Sequence, residues 1–237
     1  MERKISFDEK LLSEKIYVTL RDAIICGKFK PRERLTTANL ADLLGVSRTP
    51  VRVALDMLSL EGLVDIVPHR GTFVSDLFSD DLEEIYLMRS VLEGLAARMA
   101  VKHITDDDIA KLEEVIGKYE QAIAANDGNL IVKLNTEFHL SIAFASNKRR
   151  LSSEIKRLYD YCIRYRILSL NEPQNPWKSY TGHKEILDAI KLRDPDLAEQ
   201  RIRQHLSKAP SFIYDVLVKI EKQSSLERIG DVPIFKG

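Results

Sequence analysis

The spacing of apolar side chains divides the chain into a short mixed region and a longer helical region. Within the first 75 residues, apolar positions recur at helical spacing over about residues 8–26, 37–45 and 47–62. The segments 63–67 and 72–74 are instead rich in β-branched and apolar residues, and they flank the turn PHRG. Because two such segments joined by a turn are typical of a β-hairpin, we predict three helices followed by a hairpin.

The rest of the chain, from Ser79 to about residue 224, shows helical spacing alone. Six helices are predicted, and the last continues to about Glu221. The expected N-caps of four helices in the chain are Thr37, Ser47, Ser79 and Thr105. The predicted fold is therefore mainly α: an N-terminal winged helix-turn-helix (three helices plus a β-hairpin) in residues 1–75, an all-α bundle of six to seven helices in residues 76–224, and a tail in residues 225–237.

Composition indicates the cellular compartment of the protein but does not identify its activity. The 237 residues include 36 basic and 36 acidic side chains, so net charge explains no function by itself. Cys26 and Cys162 lie far apart and form no CxxC pair, which fits a reducing compartment. No stretch approaches the roughly 18 apolar residues of a membrane helix, and no signal-peptide core precedes the first helix. We expect a cytoplasmic protein that does not contact a membrane.

A local excess of basic residues marks the predicted helix-turn-helix. Arg48 and Arg52 lie four residues apart on the third helix, opposite its apolar stripe. The second helix of such a pair enters the major groove of DNA, and the hairpin tip, with His69 and Arg70, can enter the minor groove. The alternative is a pure packing unit whose arginines form a solvated face. Between positions 28 and 52 the sequence contains two acidic residues and six basic ones, namely Lys28, Lys30, Arg32, Arg34, Arg48 and Arg52.

The run from Gly45 to Val74, GVSRTPVRVALDMLSLEGLVDIVPHRGTFV, resembles the signature of the GntR family of bacterial transcription regulators. This resemblance implies a homodimer that binds a near-palindromic, double-stranded DNA operator. It also implies DNA contacts from the recognition helix, with the wing tip assisting. The complete set of candidate DNA-binding residues is Arg34, Ser47, Arg48, Thr49, Arg52, His69, Arg70 and Gly71.

Three histidines on separate predicted helices suggest a metal site in the second region. His139 follows Asn135 by four residues and so shares its helix face, whereas His183 and His205 lie on the fifth and sixth helices. Imidazole is a common ligand for Zn, Ni, Cu and Fe. Sequence spacing does not show that the three converge, and the alternative, which is the commoner role of a lone histidine on an apolar helix face, is a satisfied core residue. His103, near a helix end, is expected at the surface.

The helical region is similar to the FCD ligand-binding domain of the FadR subfamily of GntR regulators. The resemblance rests on Arg89–Glu93, Asn135–His139, Ala145–Asn147, His183–Ala189 and Arg203–Leu206. It implies a divalent metal ion, with zinc expected first and nickel or manganese as alternatives. The implied ligands are Asn135, His139, His183 and His205.

Two further residues are implied to bind an effector, Arg89 and Asn147. Arg89 would pair with the far end of a small organic acid held at the metal. The alternative for Arg89 is an ordinary ion pair with Glu93, its i+4 neighbour. At the metal position itself, Asn135 supplies a neutral oxygen where many members of the family have a carboxylate.

These inferences predict a DNA-binding transcription regulator, a repressor and not an enzyme, whose operator affinity is controlled by a small carboxylate bound in a metal-containing pocket. One alternative is a regulator that responds to the metal itself, and another is a metal-dependent enzyme. A pocket that binds its effector without metal also remains open. The basic run between Lys148 and Arg166 is compatible with a solvated face, a dimer contact or a DNA-facing surface.

Overall fold

A computed structural model describes residues 7–168, 176–208 and 214 of the chain. The chain divides into two compact units, Met1–Leu77 and Phe78–Gly237. The elements of the first unit are α1 (Phe7–Ile25), β1 (Arg34–Leu35), α2 (Thr37–Leu44), α3 (Arg48–Leu60), β2 (Val64–Val67) and β3 (Gly71–Val74).

The first unit is built on α3, which packs against α1, α2 and β2. The apolar stripe of α3 is fully enclosed, with Val51, Ala54 and Leu58 at 0% exposure. Gly45 ends α2 in the left-handed conformation (φ 65°), which glycine adopts without a steric penalty. Ser47 then takes the N-cap position of α3, as predicted. A three-residue turn therefore separates the two helices, which is the helix-turn-helix arrangement.

The sheet contains one more strand than the sequence predicted. β2 and β3 form the expected antiparallel hairpin, with Val64 opposite Val74 and Val67 opposite Gly71. β1 pairs with the other edge of β3, with Arg34 opposite Phe73, so the strand order is β1-β3-β2. A strand of two residues carries no readable alternation, and only its pairing with β3 identifies it.

Two predicted N-caps are displaced by one residue. Thr36, not Thr37, caps α2, because its Oγ1 accepts a hydrogen bond from the backbone N–H of Asn39 at 3.2 Å. Phe78, not Ser79, precedes α4, and Ser79 is the first helical residue. The predicted cap at Thr105 is confirmed as a capping box with Asp108.

The second unit consists of helices throughout its described residues. These are α4 (Ser79–Ala100), α5 (Asp106–Ala124), α6 (Gly128–Ala145), α7 (Arg149–Leu168), α8 (Pro176–Lys191) and α9 (Pro195–Lys208). α4 lies centrally and packs against α6, α7 and α9, while α5 packs against α6 and α8, and α8 packs against α9. The predicted continuation of the last helix to Glu221 and the predicted tail 225–237 lie outside the described residues.

This packing brings parts of α4, α6, α7, α8 and α9 together. One part of the core joins Ala96, Ala143, Ile155 and Tyr159, from α4, α6 and α7. A cluster of polar and titratable side chains lies beside it and contains Arg89 and the four predicted metal ligands. None of the helices in the described parts of the chain is long and apolar enough to cross a membrane.

Candidate metal centre and nucleic-acid interface

The start of α3 presents hydroxyl and guanidinium groups to solvent. Ser47, Arg48, Thr49 and Arg52 are all exposed, whereas Pro50 between them is buried. The Ser47 side chain makes no capping hydrogen bond within the helix. The first N–H groups of α3 lack helical acceptors, and such a helix start attracts phosphate oxygens. The four predicted DNA-binding residues of α3 thus form one exposed surface suited to the polyanionic backbone.

The hairpin tip is a second exposed basic surface. His69 has a left-handed backbone (φ 61°), and His69 and Arg70 are both exposed. Gly71 has φ 113°, a region that side chains avoid, and a Cβ there would lie 3.2 Å from Arg34 Nε. Arg34 of β1 therefore packs directly over Gly71 and joins the same basic surface as Arg70. The sequence placed Arg34 in the basic excess but gave no sign of this contact.

The three predicted histidines meet in the second unit. His139 of α6, His183 of α8 and His205 of α9 have ring centroids 4.9 to 5.1 Å apart. One ring nitrogen from each lies within 4.8 Å of the others. His183 is at the midpoint of α8, and its ring packs against those of Phe138 and Tyr119. The packing of α6, α8 and α9 therefore brings the three histidines together, which their spacing in the sequence alone left open.

The histidine cluster has the chemistry of a metal site. His139 and His183 are each 1% exposed, and the Nε2 atom of each has no hydrogen-bond partner among the described residues. Burial lowers the pKa of His139, and burial together with the adjacent imidazoles lowers the pKa of His183 and His205 well below the usual value. A lowered pKa favours the neutral ring, which is the form that ligates metal. Three converging imidazoles fit a divalent transition metal such as zinc.

Gly182 permits the close approach of α8 and α9 at this cluster. A Cβ at position 182 would overlap His205 Nδ1, well inside van der Waals contact. The imidazole of His205 thus occupies the space that any side chain at this position needs. The motif reasoning did not single out Gly182, although a glycine next to a candidate ligand in a helix interior was the available signal.

A buried ion pair lies directly beside the histidines. Arg89 Nε donates to Glu93 Oε1 at 2.7 Å, and the two side chains are 0% and 2% exposed. Glu93 Oε2 lies 2.8 Å from His139 Nδ1, a contact whose geometry falls short of a hydrogen bond. Burial alone raises the pKa of Glu93, but Arg89 and His139 outweigh it and lower the pKa to about 2. The i+4 ion pair considered as an alternative for Arg89 therefore exists, but it is buried within the site.

Asn135 is buried on the His139 face of α6, and its amide faces an arginine. Its side-chain oxygen, oriented by the hydrogen-bond network, accepts from Nη1 and Nη2 of Arg166 on α7, the latter at 3.2 Å. Arg166 Nη2 also donates to Tyr86 Oη at 3.3 Å. The sequence assigned Arg166 only to an uninterpreted basic run. Its place beside the predicted metal ligand was not foreseen.

Asn147, the other predicted effector-binding residue, is exposed in the turn between α6 and α7. It has a left-handed backbone (φ 54°), and its N–H donates to the carbonyl oxygen of Phe144 at 3.1 Å. Asparagine tolerates this conformation better than most residues, which accounts for the residue at this turn. No interaction described for the chain joins Asn147 to the histidine cluster, so its effector role stays a prediction. His103 is exposed, as expected.

Comparison with known families assigns both units. Residues 84–208 match the FCD domain, and residues 12–74 match the bacterial regulatory proteins of the gntR family. The FCD match alone covers more than half of the chain. The protein belongs to the GntR family and carries an FCD domain. This membership confirms the resemblance found in the sequence and identifies a transcription regulator, not an enzyme.

Individual relatives agree with this assignment. The chain is 29% identical to the HTH-type transcriptional regulator YdhC of Bacillus subtilis strain 168, over 81% of this chain and 86% of that protein. It is 31% identical to a probable D-xylose utilization operon transcriptional repressor of Paenarthrobacter nicotinovorans, over 71% and 74%. The solved structure of Escherichia coli McbR/YncC superposes with a TM-score of 0.73 at 29% identity, covering 86% of this chain and 97% of that one.

Proposed function

We propose that this GntR-family regulator is a repressor that binds a near-palindromic operator as a homodimer and is controlled by a small carboxylate. The observation that carries the proposal is the convergence of three histidines, beside a buried arginine and glutamate, in the unit that follows the helix-turn-helix. The name of the Paenarthrobacter relative, a repressor, supports the direction of regulation. Such a protein acts where the DNA is, which fits the cytoplasmic location expected from the sequence.

DNA recognition is assigned to the surface formed by the start of α3 and the hairpin tip. Arginine pairs well with guanine edges and with phosphates, and Arg48 and Arg52 are exposed on the side of α3 away from its buried stripe. The operator is first obtained by selection from a random DNA library with the purified protein. Arg52→Ala is then expected to weaken binding by roughly 5- to 150-fold, the range for one lost base contact.

A matched control keeps this test specific. Arg157 is an exposed arginine of α7 in the other unit, with 53% of its side chain accessible. Arg157→Ala removes the same charge from the chain and is expected to leave operator affinity within about twofold. Equal affinities of wild type and Arg52→Ala would remove α3 as the recognition helix.

The metal is assigned to His139, His183 and His205, with the Asn135 oxygen considered as a fourth ligand in the sequence prediction. When bound, a zinc ion or a similar divalent ion supplies open coordination positions that accept a carboxylate oxygen. The protein's own contribution is to hold three imidazoles together in a buried site and to place Glu93 against His139. Dialysis against a chelator, followed by metal analysis after reloading, is expected to give about one ion per chain.

Homodimer formation is assigned to the helical unit. Four apolar side chains of α4 are exposed at helical spacing: Leu87 at 62%, Met88 at 40%, Val91 at 50% and Leu95 at 39%. They form a stripe along one face of the helix, and apolar stripes of this kind on soluble proteins mark association surfaces. A second copy of the chain is the expected partner, because an operator with two half-sites requires two recognition helices.

A regulator that responds to the metal alone is the second candidate. It is favoured by the unpartnered Nε2 atoms of His139 and His183, since occupancy by an ion would itself change the packing of α6 against α8. Chelated and zinc-loaded protein, compared for operator binding without any organic acid, separates the two. A large difference supports a metal sensor, whereas a difference that requires a carboxylate supports the main proposal.

A further inference from the structure

The exposed face of α4 changes from acidic to apolar to basic along the helix. Its first two turns carry three exposed carboxylates, Asp80, Asp81 and Glu84. The apolar stripe, from Leu87 to Leu95, follows on the same face. With 3.6 residues per turn, the acidic and apolar positions lie within one arc of about 120° around the helix axis. Beyond the stripe, Lys102 is exposed in the turn directly after the helix.

The acidic start of this face has no cation of its own. Neither Asp80, Asp81 nor Glu84 forms an ion pair with any residue that the structure describes. Partial burial, and then the charges of Glu84 and Asp80, raise the pKa of Asp81. The helix dipole favours the two aspartates in the first turn, but its effect fades beyond that turn and does not account for Glu84. Three adjacent carboxylates therefore favour contact with a basic surface.

The other end of α4 lies next to the basic start of α7, because the two helices run antiparallel. Arg166 Nη2 donates to Tyr86 Oη at 3.3 Å, and Tyr159 Oη donates to Glu93 Oε2 at 3.3 Å, so rising numbers in α7 meet falling numbers in α4. Arg150 precedes Tyr159 by nine residues, or about 13 Å of helix, and therefore lies level with the end of α4. It is exposed and belongs to the basic run whose role the sequence left open.

Two cations at this end of α4 are available to a partner. Arg98 is not one of them, because it forms ion pairs with Asp196 and Glu199 of α9 and its charge is already compensated within the chain. Lys102 and Arg150 are exposed, and neither forms an ion pair within the described part of the chain. The exposed face of α4 thus has uncompensated acidic groups at one end and uncompensated basic groups at the other.

We propose that α4 packs antiparallel against α4 of a second copy of the chain, about a two-fold axis at Val91, and that the acidic start of each α4 contacts Lys102 and Arg150 of the other copy. This inference rests on the homodimer of the proposed function and specifies its geometry. It gives the start of the basic run in α7 a role as a dimer contact.

The spacing of residues along α4 supports this register. Val91 is the midpoint of the apolar stripe, and a two-fold axis there places each residue opposite the one equally far on its other side. Leu87 then faces Leu95 of the other copy, and Asp80 faces Lys102. Apolar surface meets apolar surface in the centre, and acid meets base at both ends. A parallel pairing of the same two faces would bring all six carboxylates together, which is unfavourable.

Charge reversal in the full-length protein tests the pairing of the ends. One variant carries Asp80→Lys with Glu84→Lys, and a second carries Lys102→Glu with Arg150→Glu. Each alone places like charges at both ends of the interface, so its dimer dissociation constant in sedimentation experiments is expected to rise at least about tenfold. In a mixture of the two, acid again meets base, and a heterodimer with a dissociation constant within about threefold of wild type is expected. Native mass spectrometry identifies that heterodimer, and its recovery shows that both variants are folded.

A matched control reverses two charges elsewhere. Glu137 and Asp188 are exposed on α6 and α8, the two helices that pack against α5. Glu137→Lys with Asp188→Lys changes the net charge by the same amount as the first variant. It is expected to leave the wild-type dissociation constant within about twofold and to show no preference for the variant with two added glutamates.

Cysteine cross-linking tests the antiparallel register directly. It uses a Cys26→Ser background, because Cys26 is exposed whereas Cys162 is buried. Val91→Cys is expected to form a disulfide with its own copy under mild oxidation. Leu87→Cys and Leu95→Cys each lie about 6 Å from the axis, so equivalent cysteines are about 12 Å apart, beyond the roughly 7 Å that a disulfide spans. These two variants are expected to cross-link only when they are mixed with each other.

The possible outcomes separate this geometry from the proposed function. Self-linking of Leu87→Cys and Leu95→Cys as efficient as that of Val91→Cys shows a parallel pairing and overturns the proposal. Unchanged dimers in both charge-reversal variants remove the charged ends from the interface. A wild-type dimer without the heterodimer preference overturns this geometry alone, whereas a wild-type chain that stays monomeric overturns the proposed homodimer as well.

Discussion

Replacing Glu93 by glutamine tests whether the buried ion pair supports the helical unit. The change preserves the size of the side chain and one oxygen that can accept from Arg89 Nε, but it removes the negative charge. Arg89, with 0% exposure, then keeps only neutral partners in Tyr159 and Cys162. Removing one member of a buried pair typically costs about 3–5 kcal/mol, because the remaining charge stays buried. We expect a loss near the lower end, about 3 kcal/mol, since glutamine still accepts a hydrogen bond.

The chain contains a convenient probe for this measurement. Trp177, the single tryptophan, lies in α8 of the same unit, so its fluorescence reports unfolding of the helical unit alone. With a urea dependence of about 2 kcal/mol per molar, a loss of about 3 kcal/mol lowers the midpoint by about 1.5 M.

Glu83→Gln, an exposed glutamate of the same helix, is the control and is expected to change stability by less than about 0.5 kcal/mol. A Glu93→Gln midpoint within about 0.3 M of wild type would refute the reasoning. That result would show that the buried guanidinium of Arg89 does not need the charge of Glu93 for the stability of the helical unit.

Three other predictions follow from the structure. Gly182→Ala places a methyl group against His205, a proposed metal ligand, and is expected to weaken zinc binding by about 10- to 100-fold. Gly117→Ala, where a Cβ meets nothing within 4 Å, is expected to leave zinc affinity unchanged, and equal zinc affinities of the two variants would contradict the close packing at Gly182. His183→Ala is expected to abolish stoichiometric metal but to leave the dimer intact, as measured by metal analysis and light scattering; retained metal would remove this residue as a ligand. Val91→Arg is expected to raise the dimer dissociation constant by at least about 100-fold in sedimentation experiments, because a two-fold interface brings the new charges together. Leu192→Arg, at a more exposed position, is the control and is expected to have little effect.

The sequence predicted most of what depends on neighbouring residues. The helices, the hairpin and the Thr105 capping box follow from contacts between residues a few positions apart, and such patterns are visible along the chain. The errors at Thr37 and Ser79 are of the same local kind. Each involves a cap displaced by one residue, a difference that the spacing of apolar positions does not resolve.

What the sequence did not predict depends on contacts between distant segments. Spacing put Asn135 and His139 on one helix face, but it carried no information about the helix that faces them, so Arg166 was read as part of a basic run. The space above Gly182 is filled by a histidine from another helix, a relation that no local pattern encodes. The same reason hid the packing of Arg34 over the wing glycine.

The resemblance to FCD domains implied that the three histidines share one site, and the structure brings them together. It also shows the side chains that surround them. In the sequence, Glu93 was part of the Arg89–Glu93 segment that resembles FCD domains and the partner of an ordinary i+4 ion pair, and it was not predicted to contact a histidine. Its burial, and its contact with His139, make it part of the site. The difference is burial, which is a property of the packed helices and not of the i+4 spacing.

Operator binding by zinc-loaded protein, measured by fluorescence anisotropy while small carboxylic acids are added one at a time, tests the central claim most directly. The account predicts that at least one of these acids weakens operator affinity by at least tenfold in wild type. It predicts no response in His183→Ala, which still binds the operator because its helix-turn-helix is unchanged. Operator affinity that is the same in wild type with and without metal and every acid tested would contradict control of DNA binding by the helical unit.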